Sequence, residues 1–268
     1  MASAFVSYAC LFCHTSEQRI KASTASLFSL LPLGLGLPFS LLPSGLGLPL
    51  FSLLSLLLIT MKGDYDRIAS FYDRLSRLVF GKAIIASQRF LINAIPERAV
   101  VLIAGGGTGC ILEEINHVHT SGLQITYIDS SAKMLALAEK RNTFENRVTF
   151  INQPLQEVSL QRVFDVVITP FFLDNFSDVT ATQLFNRLDH SLKPGGLWLF
   201  ADFYADRNSP IWQKLLLKLM YLLFRLFCNI EAKDLPHTEK MFGEHNYYFI
   251  SSRFFYKNFI RSVVYKKG

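Results

Sequence analysis

The chain has 268 residues, enough for one large domain or two small ones, and its 27 lysines and arginines against 21 acidic residues leave it only mildly basic. That balance excludes a polycation with a long nucleic-acid footprint, while attraction to an anionic membrane surface stays open. Half of the residues are hydrophobic, yet that average hides a break, because no charged residue lies between Lys21 and Lys62.

Residues 1–60 form a low-complexity apolar leader. Phe28-Ser-Leu-Leu-Pro32 recurs at Phe39 and, ending in serine, at Phe51, and Gly34-Leu-Gly-Leu-Pro38 is echoed by Gly45-Leu-Gly-Leu-Pro49. Pro32, Pro38, Pro43 and Pro49 forbid a continuous helix. Three readings compete: a membrane-associated or signal segment, a disordered apolar tail, or a non-native start with the working chain opening at Met61. The last is favoured, since Leu50–Thr60 is the longest strongly apolar run free of proline and glycine and falls well short of the ~20 residues that span a bilayer. Cys10-Leu-Phe-Cys13-His14 matches a haem-attachment pattern, but it precedes the apolar repeat and nothing offers a haem pocket. With Cys110 and Cys228 the only other cysteines, a reducing cytoplasm is the expected setting, membrane-associated if the leader is retained.

From Met61 the pattern alternates helices and strands. Apolar residues at Ile68, Phe71, Tyr72, Leu75 and Leu78 predict a helix from Asp64 to Phe80, and a second runs from Lys82 to Ile95. Strand one, Ala99–Ala104, runs into Gly105-Gly106-Gly107-Thr108-Gly109. Glycines there permit positive φ and let a ligand approach the main chain without meeting a Cβ, and the helix from Cys110 to about Val118 presents its free N–H groups. The dinucleotide fingerprint Gly-x-Gly-x-x-Gly would need a small residue at position 110. The spacing here is Gly-x-Gly-x-Gly.

Strand two, Leu123–Ile128, ends at Asp129, followed by a helix over Ser131–Arg141 whose basic end suits a helix C-terminus. Strands at Val148–Asn152 and Phe164–Thr169, a helix at Thr180–Leu192, the turn Lys193-Pro-Gly-Gly196 and strand five at Leu197–Asp202 complete a parallel α/β pattern. Ile211–Cys228 reads as a helix, apolar on most sides with Lys214, Lys218 and Arg225 on one flank. It is read as a helix packed on the sheet, with a lid over a greasy substrate or a membrane-facing surface as alternatives. Tyr247–Ile250 and Phe259–Val264 are the closing hairpin.

From Asp64 to about Lys266 this sequence resembles class I S-adenosylmethionine-dependent methyltransferases, most closely the ubiquinone/menaquinone-biosynthesis C-methyltransferase-like group. The carriers are Tyr65-Asp66 with Ala69 and Tyr72-Asp73, the glycine loop, Tyr127 to Leu135, Leu173-Asp-Asn-Phe-Ser-Asp178, and Leu192-Lys-Pro-Gly-Gly196. The resemblance implies a Rossmann-like seven-stranded, mostly parallel sheet in the order 3-2-1-4-5-7-6, with helices on both faces and the last strand antiparallel. It implies S-adenosyl-L-methionine as cofactor, with Asp129 taking its two ribose hydroxyls. The cofactor contacts it implies are Gly105, Gly106, Gly107, Gly109, Asp129, Ser130, Met134, Gln153, Pro154, Leu155 and Thr169. The chain departs from the family at Ile103 and Pro154, usually acidic, and at Asp174, where quinone methyltransferases have arginine.

The sulfonium of that cofactor is already an activated methyl donor, so the protein mainly has to align a nucleophile and exclude water. The candidates for proton handling are Asp174, Asp202 and Tyr204 at the strand ends, with Tyr65 and Tyr72 capping the pocket. His117, His119, His190 and His237 show no metal or triad spacing. The expected acceptor is a small lipophilic or aromatic molecule, in a pocket built from Phe71, Phe171, Phe172, Leu173, Phe176 and Trp212. A non-catalytic cofactor-binding protein and an RNA methyltransferase remain alternatives, with a nicotinamide oxidoreductase third. The oligomeric state is not legible.

Overall fold

The computed structural model describes residues 65–268 apart from Asn142 and Asn229, with the side chains of Asp66, Arg67, Ile68, Ser70, Phe71, Leu226 and Phe227 also outside the description. The apolar leader and its three readings therefore lie outside the described residues. α1 (Tyr65–Phe80) and α2 (Ala83–Ile92) come first. Gly81 ends α1 with a positive φ of 59°, its N–H donating to Arg77 O at 2.8 Å, a helix stop that glycine adopts without a Cβ clash.

Then follow β1 (Val100–Ala104), α3 (Cys110–Val118), β2 (Ser121–Ile128), α4 (Ala132–Ala138), β3 (Glu145–Ile151) and β4 (Phe164–Pro170). A single 3₁₀ turn at Leu173–Asn175 leads to α5 (Asp178–Ser191), β5 (Leu192–Phe203), α6 (Ile211–Cys228), α7 (Thr238–Glu244), β6 (Tyr247–Phe255) and β7 (Ile260–Lys267). The strands make one seven-stranded sheet in the order β3-β2-β1-β4-β5-β7-β6. Strands β1 to β5 are mutually parallel, and β7 runs antiparallel to both its neighbours. The implied topology is the one observed.

The central strands are apolar throughout because both faces are covered. On one face Val101, Ile103, Ile125, Tyr127 and Ile168 pack with Leu91, Ile111 and Ile115 from α2 and α3. On the other, Leu102, Val167, Trp198 and Phe200 meet Leu184 and Phe185 of α5 and Phe242 of α7. Aromatic stacking fixes this second layer: Phe185 lies on Trp198 with ring centroids 4.5 Å apart, and Phe242 on Tyr265 at 3.9 Å.

Several boundaries move. α2 stops at Ile92 rather than Ile95, its end tightening into turns that bond Ala94 N–H to Leu91 O and Ile95 N–H to Ile92 O. α4 stops at Ala138, because Arg141 is drawn away to other partners. β3 starts early, at Glu145, and β5 starts at Leu192, so Lys193-Pro-Gly-Gly196 is an irregularity inside a strand rather than the turn before one. Lys193 Nζ anchors it on Asp165 Oδ1 at 2.7 Å. α7 has no counterpart in the sequence reading; it buries only Met241 and Phe242, too few residues to set up a helical period. α6 lies along α1 and the β6–β7 turn: Tyr65 stacks on Phe224, and Trp212 packs on Tyr256 and Phe259. Leu216, Leu217 and Met220 of α6 also pack on the cluster of Phe80, Phe259 and Ile260, so the helix covers the start of β7 as well.

Candidate functional site

The glycine loop sits between β1 and α3, and its glycines serve two different purposes. A Cβ at Gly106 would strike the Tyr127 ring, one at Gly105 the Phe172 ring, and one at Gly109 would approach Ala138 Cα to 2.8 Å. Those three are required by packing. Gly107, at φ 63°, would place a Cβ in open space, so it is the position where the main chain is exposed to an approaching group. Tyr127 completes the loop by donating its hydroxyl to Gly107 O at 3.0 Å, and burial together with nearby Asp129 holds that phenol well above its usual range.

Asp129 stands at the end of β2, facing this opening. Gly107 N–H donates to its Oδ2 and Ser131 N–H to its Oδ1, each at 2.9 Å, while Asn152 Nδ2 holds its main-chain carbonyl at 3.0 Å. Ser131 in turn caps α4 by accepting Met134 N–H at 3.2 Å. The half-exposed carboxylate is thus oriented by main-chain donors of the loop and the following turn.

The cover of the loop was not legible in the sequence. Asp73 on α1 accepts Thr108 Oγ1 at 2.6 Å and Arg141 Nη2 at 2.8 Å, and Arg141 also donates to Thr108 O at 3.0 Å and Glu113 Oε1 at 2.6 Å. One guanidinium therefore joins α1, the glycine loop, α3 and the end of α4. The signal in the sequence was the Tyr72-Asp73 dipeptide and the Lys140-Arg141 pair, which read locally as a helix face and a dipole complement.

Beyond the loop, the ends of β4 and β5 carry a second polar cluster. Asp174 and Asp202 are both buried, in the 3₁₀ turn after β4 and near the end of β5, two elements that pack together. Burial pushes Asp174 up to about 7, and burial plus the charge of Asp174 holds Asp202 well above the usual carboxylate range. Asn175 Nδ2 donates to Asp174 Oδ1 at 2.9 Å and to the carbonyls of Phe171 and Phe172, both at 3.1 Å, while its Oδ1 accepts the hydroxyl of Tyr65. Burial also raises Tyr65, Tyr72 and Tyr221, with Asp174 adding to all three. Through Asn175, Tyr65 of α1 is joined to Asp174.

With this geometry in view, comparison with known proteins is informative. The methyltransferase domain family matches residues 101–196, which run from β1 through the glycine loop, Asp129 and Asp174 into β5. A demethylmenaquinone methyltransferase of Thermotoga maritima is 33% identical over 118 residues, 42% of this chain and 49% of that protein. Over this stretch the chain is similar to methyltransferase domains. A malonyl-acyl-carrier-protein O-methyltransferase of Priestia megaterium is 27% identical over 143 residues, 53% of this chain and 51% of that protein. The chain therefore spans about half the length of these curated relatives. Among solved structures, the 1,6-didemethyltoxoflavin N1-methyltransferase of Burkholderia thailandensis superposes with a TM-score of 0.54 at 17% identity. The match covers 84% of this chain and 93% of that one, so it shows the shared fold.

Within the matched stretch, the residues implied at the cofactor fall into three groups. Gly107, Asp129 and exposed Ser130 line the loop mouth, with exposed Gln153 and Pro154 beyond the end of β3. Met134 and Leu155 are buried, able to offer a wall from below. Thr169 is fully buried and accepts Trp198 Nε1 at 2.9 Å, so its side chain serves the core and only its main chain is left to face a ligand. Ile103 is likewise fully buried, between Tyr127 and Ile168 in neighbouring strands, where an acid would lack a partner. Of the residues expected around an acceptor, Phe172 and Phe176 meet edge to face at 5.1 Å beside buried Leu173. Phe171 instead joins Phe203 at 5.1 Å in a separate aromatic group that includes Phe80 and Phe259, and Trp212 belongs to that group too.

Proposed function

We propose that this chain is an S-adenosylmethionine-dependent methyltransferase acting on a small lipophilic or aromatic acceptor. The observation that carries the reading is Asp129, whose two oxygens are each oriented by one loop or turn N–H at 2.9 Å beside the one loop glycine with open space around it. A carboxylate so placed accepts both hydroxyls of a ribose, and the adjoining helix N-terminus suits the acidic end of an amino acid. The Burkholderia enzyme with this fold was solved with S-adenosylhomocysteine bound. When bound, S-adenosylmethionine supplies an activated methyl group. The chain's own residues then have two tasks: Gly107, Asp129 and the loop hold the donor, and α1 and α6 enclose an aromatic-walled space above the strand ends in which an acceptor is oriented and water excluded. The quinone acceptor of the Thermotoga relative is not carried over, because a buried acid, Asp174, stands where arginine is usual in that group.

A thermal-shift panel of S-adenosylmethionine, S-adenosylhomocysteine and NAD tests the cofactor. At 100 times its dissociation constant, S-adenosylhomocysteine should add about 2.7 kcal/mol, with no shift from NAD. A shift from NAD alone would overturn the reading. Radiolabelled methyl transfer confined to RNA or protein in a cell extract would overturn the small-molecule acceptor.

One observation favours peripheral membrane contact as an addition. The outward face of α6 exposes Ile211 (76%), Leu215 (61%) and Leu222 (50%) alongside exposed Lys218 and Arg225, an apolar stripe edged by cations that suits an anionic lipid surface. None of the described helices is long and apolar enough to cross a membrane. Co-sedimentation with anionic but not zwitterionic vesicles, lost on Leu215→Glu, is the expected result; equal recovery with both vesicle types would remove it.

A further inference from the structure

The cluster at the ends of β4 and β5 holds more buried polarity than the donor site accounts for. Asp174, in the turn after β4, is 8% exposed, and Asp202, near the end of β5, is 3% exposed. Phe203 N–H donates to Asp202 Oδ1 at 2.8 Å, but among the described residues no N–H or O–H group bonds buried Asp202 Oδ2. A second buried group from another element is also unsatisfied: Tyr221 of α6 is 7% exposed, and among the described residues its hydroxyl has no hydrogen-bond partner although it lies within the field of both carboxyls. Buried polar groups are nearly always satisfied, so two unsatisfied ones converging from a strand end and a helix mark the seat of a ligand's polar head.

The groups facing this seat are acidic or phenolic. Tyr65 and Tyr72 come from α1, Tyr221 and Cys228 from α6, and Asp234 from the segment before α7. Arg261 stands opposite Asp202 in the β5–β7 ladder, but its guanidinium is engaged by Glu239 and lies over the rings of Tyr204 and Phe254 at 5.6 and 5.4 Å. The pair is also tied to the donor side. Tyr65 feels both Asp174 and Asp129, and Phe172, two residues before Asp174, abuts Gly105 of the loop.

Resting on the methyltransferase reading, we infer that the Asp174–Asp202 pair, holding one shared proton and one negative charge, is counter-ion to the donor's sulfonium and takes the proton of the methyl acceptor. The acceptor is therefore a neutral molecule with an O–H or N–H group, not an anion. The bookkeeping of the step closes. The acceptor's oxygen or nitrogen bonds the methyl carbon, the S–CH₃ electron pair remains on sulfur, and the acceptor's proton passes to the ionised carboxyl. Before transfer the positive sulfonium faces a negative pair, and afterwards thioether and pair are both neutral. A buried site thus carries no uncompensated charge at either stage, which is the condition for placing acids there at all. Burial sets the ionisation of Asp174 near neutrality, the range in which a proton acceptor works best.

The test needs no knowledge of the acceptor. S-adenosylmethionine and S-adenosylhomocysteine differ by one charged methyl group, so the ratio of their affinities isolates the sulfonium. For the full chain, calorimetry should show this ratio rising about tenfold between about pH 6 and pH 8 as the pair ionises, since binding and ionisation are reciprocally linked. The rise should vanish in Asp174→Asn and Asp202→Asn. Should those variants not fold, the wild type alone reports the same linkage in buffers of different ionisation enthalpy: near pH 6, S-adenosylmethionine binding should release close to one proton and S-adenosylhomocysteine none. A flat ratio in the wild type, equal proton release for both ligands, or an unchanged pH dependence in folded variants would overturn the inference while leaving the methyltransferase reading intact. Failure of the wild type to bind either ligand would overturn both.

Discussion

At the scale of single residues, adjacent glycines have different duties. Gly107→Ala meets only the strain of a non-glycine at φ 63°, a cost of roughly 1 kcal/mol, whereas Gly106→Ala drives a methyl into the Tyr127 ring. Denaturation should therefore rank Gly106→Ala as clearly less stable, while isothermal titration should find that Gly107→Ala loses S-adenosylhomocysteine binding in a folded protein. Asp129→Ala should weaken that ligand by about 1.5–3 kcal/mol for each hydrogen bond lost to the carboxylate. Undiminished affinity in a folded Asp129 variant would remove it from the site. The buried acids give a pH signature of the unliganded protein. Their folded values are raised, so between the ordinary carboxylate range near 3.8 and about 7 the unfolded chain has lost protons that the native pair retains. Stability from this source is complete below that window and declines as pH rises through it. Chemical denaturation at pH 5 and pH 7.5 should show the decline, and Asp202→Asn should flatten it.

At the scale of elements, the decisive feature is how α1 is fastened. Helical periodicity gives α1 an apolar stripe, but its position over the glycine loop depends on Asp73 meeting Thr108 and Arg141 at 2.6 and 2.8 Å. Arg141→Met should cost about 1–2 kcal/mol, the lower figure reflecting partial exposure of the ion pair. It should also speed amide exchange in α1 more than in α5, and uniform exchange rates would argue against the clasp. α7 is held differently. It is a short helix with little stability of its own, docked through Phe242 on Trp198 and Tyr265 at 5.1 and 3.9 Å. Phe242→Ala should destabilise by about 3–5 kcal/mol, with S-adenosylhomocysteine affinity unchanged because the ring is remote from the loop mouth.

At the scale of the whole molecule, every described element and both core layers belong to one unit, Met61–Gly268. A chain shortened to those residues is expected to fold with a single cooperative transition and to bind S-adenosylhomocysteine as the full chain does, measured by calorimetric melting with and without ligand. Loss of folding only on shortening would assign the leader a structural task. The seven-stranded order also explains why the site lies where it does: β1 and β4 are neighbours, their connections leave in opposite directions, and a crevice opens at their carboxyl ends.

Much of this was present in the sequence because it depends on short-range pattern. Buried parallel strands must be continuously apolar, so Val100–Ala104 and Phe164–Pro170 announced themselves, and four glycines in five residues after a strand can only be a turn built for close approach. Asp129 was legible for the same reason, as a polar residue directly at a strand's end. What tertiary structure decided was every feature that joins distant positions. It directed Thr169 into the core toward Trp198, took Arg141 out of its helix to clasp Asp73, and moved Trp212 from the acceptor region to the β6–β7 turn. Above all it brought Asp174 and Asp202 together. Each reads singly as an ordinary acid at a strand end; only the parallel register of β4 against β5 buries both at one end of the sheet and raises the ionisation of each.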